Sequence, residues 1–451
     1  AAPSGTPAGP APGAGASSVV LPLLLLACTA PATPRPGADP GADSAAADSG
    51  APVDTAPERV GDAPVPVDTG LPLEPGQAEL TCADALPVDG KVPCTLRITG
   101  PDGTVWWDGA AGVGLHGRSS ASFPKPQLAV ELRDDAGAEA PADLYGMGEE
   151  ADWLLNGMWI DRALLRNKLA YDLYRELTDE REWAPESVYV ELTHNGAYAG
   201  LYALVERVDR GDGRLDLPAD DGTGATFIVK GDETGIVSNV QYAHWAIVYP
   251  SVATDAVTAG VTARLTTVEG YLTYADARMF DEIDLDSAVA FVLIEELVKN
   301  NDAFFLSHHA YTRPDGKLGF VPWDLDLTLG QPSYNDNENP GSWIAYRPGG
   351  LIGNMGQIAA FRERMVSMWA EWRATELADG EVAARIDAIV AGLGPAVARN
   401  FERWPIGDVD FGGTLYVVGS HPEEIARVKA FLAARLAWMD ANVGAWSPYA
   451  G

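Results

Sequence analysis

The chain has little cysteine, too little basic charge to balance its acid, and only a short apolar run near its start. Three of 451 residues are cysteines, too few for a four-cysteine zinc site. The 31 Lys and Arg residues stand against 64 Asp and Glu residues, a net charge of −33, which disfavours nucleic acids and anionic membrane surfaces as partners. The apolar run Val19–Ala27 has nine residues, too few to span a bilayer.

The composition indicates a folded body joined to loop-rich or unstructured parts. Hydrophobic residues make up 47% of the chain and aromatic residues 9%, as expected for a globular protein, whereas 48 Gly and 33 Pro indicate extensive irregular structure. The length is sufficient for two or three domain-sized units.

Residues 1–28 have the pattern of a bacterial lipoprotein signal. The run Val19–Ala27 suits the apolar part of a signal segment, and Leu25-Leu26-Ala27-Cys28 resembles a lipobox, although no Lys or Arg precedes it. We therefore predict export and attachment to the bacterial cell envelope or surface through a lipidated Cys28, which is the predicted membrane contact. The alternative is an apolar stretch interrupted by proline.

Residues 29–79 are predicted to form a disordered tether, because they hold almost no large apolar side chain and carry nine acidic residues against two arginines. Cys82 and Cys94 follow within the predicted folded region. In an exported protein they are expected to form a disulfide, and two buried free thiols are the alternative.

An acidic segment, Lys299–Gly330, suggests a metal site. Asp302 follows an apolar helical run, and a predicted hairpin then leads to Asp324 and Asp326. Carboxylates from two places would meet at one rim, an arrangement that suits Mg²⁺ beside a polyphosphate. The alternative is that Asp302 caps a helix and that the later pair ends a solvated strand.

The segment Gly114–Leu132 combines a loop rich in Gly and Ser with a predicted strand, Gln127–Leu132, and presents Lys125 just before that strand. Backbone N–H groups and one compact cation are what phosphate binding needs. An ordinary hairpin loop is the alternative.

Further patterns predict the regular elements around these segments. A helix is expected over Asp161–Leu177 with Asp161 as N-cap, and a hairpin over Ser187–Val208. Other predicted elements are a strand that extends the sheet and two amphipathic helices: Thr226–Lys230, Phe361–Trp372 and Glu423–Met439.

Five motifs, GRSSASFPK, DRALLRNKLAYDL, LTHNGAYAGLYALVERVD, NNDAFFLSHHAY and PWDLDLTLG, occur in the order and approximate spacing of the CotH kinase family. The chain resembles that family over about residues 80–445. The resemblance implies an α+β, atypical protein-kinase-like fold with two lobes. The N-lobe, at about 80–235, would be β-rich, the C-lobe, at about 280–445, mainly helical, and ATP would bind between them.

The resemblance also implies roles for particular residues. Lys125 would be the catalytic lysine that contacts the phosphates, with Glu176 or Glu206 as its partner, and Asp302 the catalytic aspartate. Lys125 is expected to face the aspartates across a cavity. The other implied site residues are the metal ligand Asp324, with Asp326 second, and the nucleotide-binding residues Arg118, Ser119, Ser120 and Glu206.

The implied activity is that of a protein Ser/Thr kinase that uses ATP and Mg²⁺ or Mn²⁺ and acts on an envelope or secreted protein. The alternative is an inactive surface adhesin or assembly scaffold on a kinase-like fold. Where ordinary kinases have an Asn ligand for a second metal, this chain offers Ser307, His308 and His309. The segment Asn335–Asn339 could form a Ca²⁺ site with the aspartate pair, with a solvated loop as the alternative.

Overall fold

In the part of the chain that the structure describes, the strands are β1 Gly76–Cys82, β2 Val92–Thr99, β3 Val105–His116, β4 Gln127–Arg133, β5 Ala142–Asp143, β6 Glu149–Glu150, β7 Asp152–Asn156, β8 Ser187–His194, β9 Ala197–Glu206, β10 Ile228–Asp232, β11 Ile236–Val237, β12 His244–Tyr249, β13 His309–Thr312, β14 Leu318–Val321, β15 Val409–Phe411 and β16 Thr414–Tyr416. Seven of them close into a barrel in the order β1-β2-β3-β4-β7-β9-β8. Side chains on β1 alternate between buried and exposed, so one face fills the barrel with residues such as Leu80.

The computed structural model describes residues 70–211, 213–232, 235–237, 244–300, 302–304, 306–332, 337–344, 352–407, 409–411 and 414–446. These residues belong to one compact unit, Gly61–Gly451. None of the helices within them is long and apolar enough to cross a bilayer.

The helices pack mainly around a second core, beside a five-stranded antiparallel sheet of order β11-β12-β10-β13-β14. Across the described ranges they are α1 Arg166–Leu177, α2 Asp255–Thr273, α3 Met279–Glu282, α4 Leu285–Val298, α5 Ala359–Ala374, α6 Glu381–Leu393, α7 Ala396–Arg403 and α8 His421–Asn442.

Helix α4 lies at the centre of that core. Its residues from Ser287 to Val298 are all buried, as expected for a helix that is largely apolar on every side. The Asp284 carboxylate caps its start by accepting a hydrogen bond from Ser287 N, and it ends where Lys299 adopts a left-handed conformation. This ending directs the chain toward Asp302.

Several predictions of local structure are confirmed. The Cys82–Cys94 disulfide joins β1 to β2, β4 matches the predicted strand, and β8 with β9 forms the predicted hairpin. The hairpin inside Lys299–Gly330 is β13–β14, and α5 and α8 cover the two predicted amphipathic helices. The α+β class is confirmed. The barrel was not predicted, and the division into two lobes stays a prediction.

Three predictions need correction. The strand near Lys230, β10, lies in the second sheet and does not extend the first. Strand β1 begins at Gly76, within the segment predicted to be a tether. Helix α1 begins only at Arg166 because Leu164 has a positive φ, so Asp161 is not its N-cap, although its carboxylate accepts hydrogen bonds from Ala163 N and Arg166 N.

Candidate active site

A cavity of about 220 Å³ lies between one end of the barrel and the end of the second sheet where β10 and β14 finish and β13 begins. Because β4 pairs antiparallel with both β3 and β7, the end of β3, the start of β4 and the end of β7 meet at the same end of the barrel. They contribute His116, Gln127 and Asn156, and β9 adds Val205 beside them. Burial, followed by the charges of nearby basic groups, lowers the pKa of His116 to about 4.

The opposite wall follows from the register of the second sheet. Lys230 on β10 pairs with His309 at the start of β13, which in turn pairs with Val321 at the end of β14. The residues just before β13 and just after β14 therefore lie beside Lys230. Ser307 and Asp324 occupy these positions, and both line the cavity.

The three predicted aspartates, Asp302, Asp324 and Asp326, all line this cavity. Burial raises the pKa of Asp326 well above its usual range, and the negative charges of Asp324, Asp161 and Asp302 raise it further. The charge of Arg166 acts in the opposite direction. Carboxylates that repel each other in a buried site supply the kind of oxygen ligand that a divalent cation binds.

Two side chains of helix α1 accept hydrogen bonds from the backbone of the segment that carries the aspartate pair. Tyr171 Oη accepts a hydrogen bond from Asp324 N at 3.1 Å, and Asn167 Oδ1 accepts one from Leu325 N at 2.7 Å. Ser307 Oγ lies 3.4 Å from Asp324 Oδ2. Asp324 and Ser307 both have positive φ values, 62° and 56°, and such strain in non-glycine residues often accompanies functional sites.

Lys230 supplies the cavity with positive charge. Burial raises the pKa of Asp324, whereas the charge of Lys230 and the hydroxyl of Ser307 lower it. With the residues that the structure describes, the half-buried Lys230 side chain forms no hydrogen bond or ion pair. No role was predicted for this residue from the sequence.

The prediction that Lys125 faces the aspartates across the cavity is wrong. Lys125 is 2% exposed and does not line the cavity. Its Nζ donates to Leu201 O at 2.5 Å and to Asn400 Oδ1 at 2.7 Å, and it lies over the ring of Tyr202. Burial, and then the charge of Arg162, lower its pKa well below the usual range.

The two glutamates proposed as partners of Lys125 are also placed elsewhere. Glu176 pairs with Arg385 on α6. Glu206 is fully buried, accepts a hydrogen bond from Glu186 N and lies 3.8 Å from Arg214. Burial raises the pKa of Glu206 to about 8. Neither glutamate lines the cavity, so the predicted nucleotide-binding role of Glu206 has no geometric support.

The loop after β3 reaches the cavity, and the nucleotide-binding role of its residues stays a prediction. Arg118, Ser119 and Ser120 line it, and Arg118 lies 4.0 Å from Asp232. Gly117 turns the chain with a φ of 88°, and a Cβ there would meet Ser120 Oγ at 2.0 Å. Ser120 Oγ instead donates to His116 O, which fixes the turn.

The two histidines that follow Ser307 do not line the cavity. His308 and His309 are 3% and 4% exposed, and His308 Nδ1 lies 3.1 Å from Leu306 O. Burial lowers the pKa of both imidazoles. Ser307 is therefore the residue of the three that could replace the missing Asn as an oxygen ligand.

The proposed calcium segment falls partly outside the described residues, since Asn335 and Asp336 are not among them. Asn337 is buried and donates to Leu327 O. Within the described ranges, one group of three acidic residues has ligand atoms within 4.8 Å of one another, and it comprises Glu131, Glu139 and Asp152; the three cavity aspartates do not form such a group. Lys91 already pairs with Glu131 and Asp152, so this cluster is a salt-bridge network.

Sequence reasoning missed Lys230, Tyr171 and Gln127. Lys230 had a weak local signal, a cation at the end of an apolar strand and just before Gly231-Asp232. Tyr171 and Gln127 had none, because each lies within a regular element and becomes a cavity residue only through packing.

The arrangement places three carboxylates, the ammonium group of Lys230 and a loop containing serines around one opening, which suits the binding of phosphates with a divalent cation. The family described as CotH kinase protein matches residues 113–439. No curated protein matches the chain. Because this match covers most of its length, the chain belongs to the CotH kinase protein family.

Proposed function

We propose that this chain is an ATP- and metal-dependent protein kinase that transfers the γ-phosphoryl group to a Ser or Thr hydroxyl of an envelope or secreted protein. The single observation that carries the proposal is that Lys230 lines the same cavity as Asp302, Asp324 and Asp326. Kinase chemistry consists mainly of positioning and charge stabilisation, and these four groups supply both.

Each group has a defined role in the proposed reaction. Asp324 and Asp326 would hold Mg²⁺ or Mn²⁺, which when bound neutralises charge on phosphate oxygens. Lys230 contacts the phosphates, which is the role that was first predicted for Lys125. Asp302 orients the acceptor hydroxyl and accepts its proton while the new oxygen–phosphorus bond forms and the bond to ADP breaks.

We also propose that the protein is exported and held at the envelope by a lipid on Cys28. The disulfide between Cys82 and Cys94 supports this compartment, because disulfides persist mainly outside the reducing cytoplasm. The acceptor protein would then share the envelope or the extracellular space.

The full chain should incorporate γ-labelled phosphate from ATP into serine or threonine of co-incubated envelope proteins, and the label should need Mg²⁺ or Mn²⁺. Phosphoamino acid analysis after acid hydrolysis checks the acceptor residue. Asp302→Asn is the inactive control, and Asp216→Asn, at an exposed aspartate outside the cavity, is the matched active control. Equal labelling by wild type and Asp302→Asn would refute the proposal.

A further inference from the structure

Arg166 is a fully buried arginine that joins three parts of the chain. Its Nη1 donates to Asp161 Oδ1 at 2.6 Å, its Nη2 to Glu424 Oε1 at 2.6 Å, and its Nε to Thr328 O at 2.9 Å. Thr328 follows the aspartate pair, and Glu424 lies in the first turn of α8. One guanidinium therefore connects the C-terminal helix with the segment that carries Asp324 and Asp326.

The segment 324–329, here called the acidic loop, depends on such contacts because it contains no regular structure. Asn167 and Tyr171 fix its first residues from α1, and Leu329 N donates to Val298 O at its end. Arg166 is the charged group that holds Thr328 between these ends. Thr328 Oγ1 in turn donates to Leu325 O at 2.6 Å and tightens the loop.

Both carboxylates that Arg166 contacts are buried, so their positions are tightly specified. Glu424 is 1% exposed and Asp161 2%. Burial acts to raise the pKa of Glu424, but the charge and hydrogen bond of Arg166, the hydroxyl of Tyr416 and the charge of Arg427 together outweigh burial, and the pKa is lowered. The start of α8 has a second tie to the same region, since His421 Nε2 lies 3.1 Å from Ala163 O.

We propose that Arg166 is a positioning residue through which α8 sets the geometry of the acidic loop and thereby its affinity for a divalent cation. The part of this proposal that concerns metal affinity rests on the metal role proposed above for Asp324 and Asp326. Residues that orient metal ligands from behind usually change metal affinity by about 10- to 100-fold when they are replaced. The planar fork of arginine explains why lysine would not substitute, because one ammonium cannot reach both carboxylates and a carbonyl in fixed directions.

The chain offers a matched control in the same helix. Arg435 is also fully buried, pairs with Glu296 Oε2 at 3.1 Å and ties α8 to α4. It lies 11 positions from Glu424, about 16 Å along the helix. Arg435→Lys therefore removes a comparable buried fork without touching the acidic loop.

Hydrogen–deuterium exchange by mass spectrometry and Mn²⁺ binding by electron paramagnetic resonance test the proposal on the full chain. For Arg166→Lys we expect faster exchange at the amides of 324–329 and about 10-fold weaker Mn²⁺ binding. Arg435→Lys should change neither. Glu424→Gln, which removes the charge that pairs α8 with Arg166 but keeps the pair of Arg166 with Asp161, should raise exchange in the same segment to a smaller extent.

The outcomes separate this proposal from the proposed function. Equal exchange of 324–329 in Arg166→Lys and Arg435→Lys would overturn the positioning role, as would unchanged exchange in Glu424→Gln if Arg166→Lys does not fold. A wild-type chain that binds no Mn²⁺ would refute the metal role of the aspartates, and with it the affinity part, while exchange would still decide whether Arg166 positions the loop.

Discussion

Replacing Asp324 with Asn is expected to lower the rate of phosphoryl transfer by at least about 10³-fold, because a metal ligand supplies several kcal/mol of charge stabilisation and each 1.36 kcal/mol is a factor of ten. The fold should remain intact. Burial raises the pKa of Asp324, so an ionised carboxylate there costs stability and a neutral amide should not lower the melting temperature. Steady-state labelling and thermal unfolding check both parts.

The neighbouring carboxylate provides the comparison for that result. Asp326→Asn removes a carboxyl group whose pKa lies well above its usual range, first because it is buried and then because of the charge of Asp324. We expect a smaller loss of activity than for Asp324→Asn. A larger loss in Asp326→Asn would make Asp326 the main metal ligand, and full activity in both variants would contradict a metal site at this pair.

Lys230→Met is expected to reduce phosphoryl transfer by about 10²- to 10³-fold, the usual effect of removing one preorganised cation or hydrogen-bond donor from a transition state. The side chain is half-buried and makes no hydrogen bond or ion pair within the described part of the chain, so stability should change little. Initial rates at saturating ATP, with circular dichroism of the variant, check this.

Lys125→Met is the matched control because the substitution is identical and only the location differs. It removes the Lys125 ammonium as a donor to Leu201 O and to Asn400 Oδ1, although Asn400 Oδ1 keeps its hydrogen bond from Leu201 N, and the loss should cost about 1–3 kcal/mol of stability. Activity per folded molecule should stay close to wild type. The reverse pattern, with activity lost in Lys125→Met and kept in Lys230→Met, would restore the role first predicted for Lys125.

The acidic half of the site could be predicted from sequence because its parts are linked locally. Asp302 follows α4, and the short β13–β14 hairpin returns the chain to Asp324, so their proximity follows from one helix end and one turn. Apolar periodicity, a Pro-Asp-Gly turn and the carboxylates were all visible in the sequence.

The basic half could not be predicted in the same way. Lys125 follows a loop rich in Gly and Ser, which is a reasonable local signal. Its ammonium group, however, donates a hydrogen bond to Asn400 on α7, which is distant in sequence. Lys230 enters the cavity because β10 pairs with β13 in a second sheet. Barrel closure likewise depends on the parallel pairing of β1 with β8, which no local pattern indicates.

Calorimetric titration of the full chain with ATP in Mg²⁺ tests the central claim most directly, namely that Lys230 and the aspartates form one nucleotide-binding cavity. We predict Mg²⁺-dependent binding to the wild type, binding weakened at least about 10-fold in Lys230→Met, consistent with the loss of one charge-assisted contact, and unchanged binding in Lys125→Met. Absence of Mg²⁺-dependent binding to the wild type, or equal affinity in wild type and Lys230→Met, would contradict the claim.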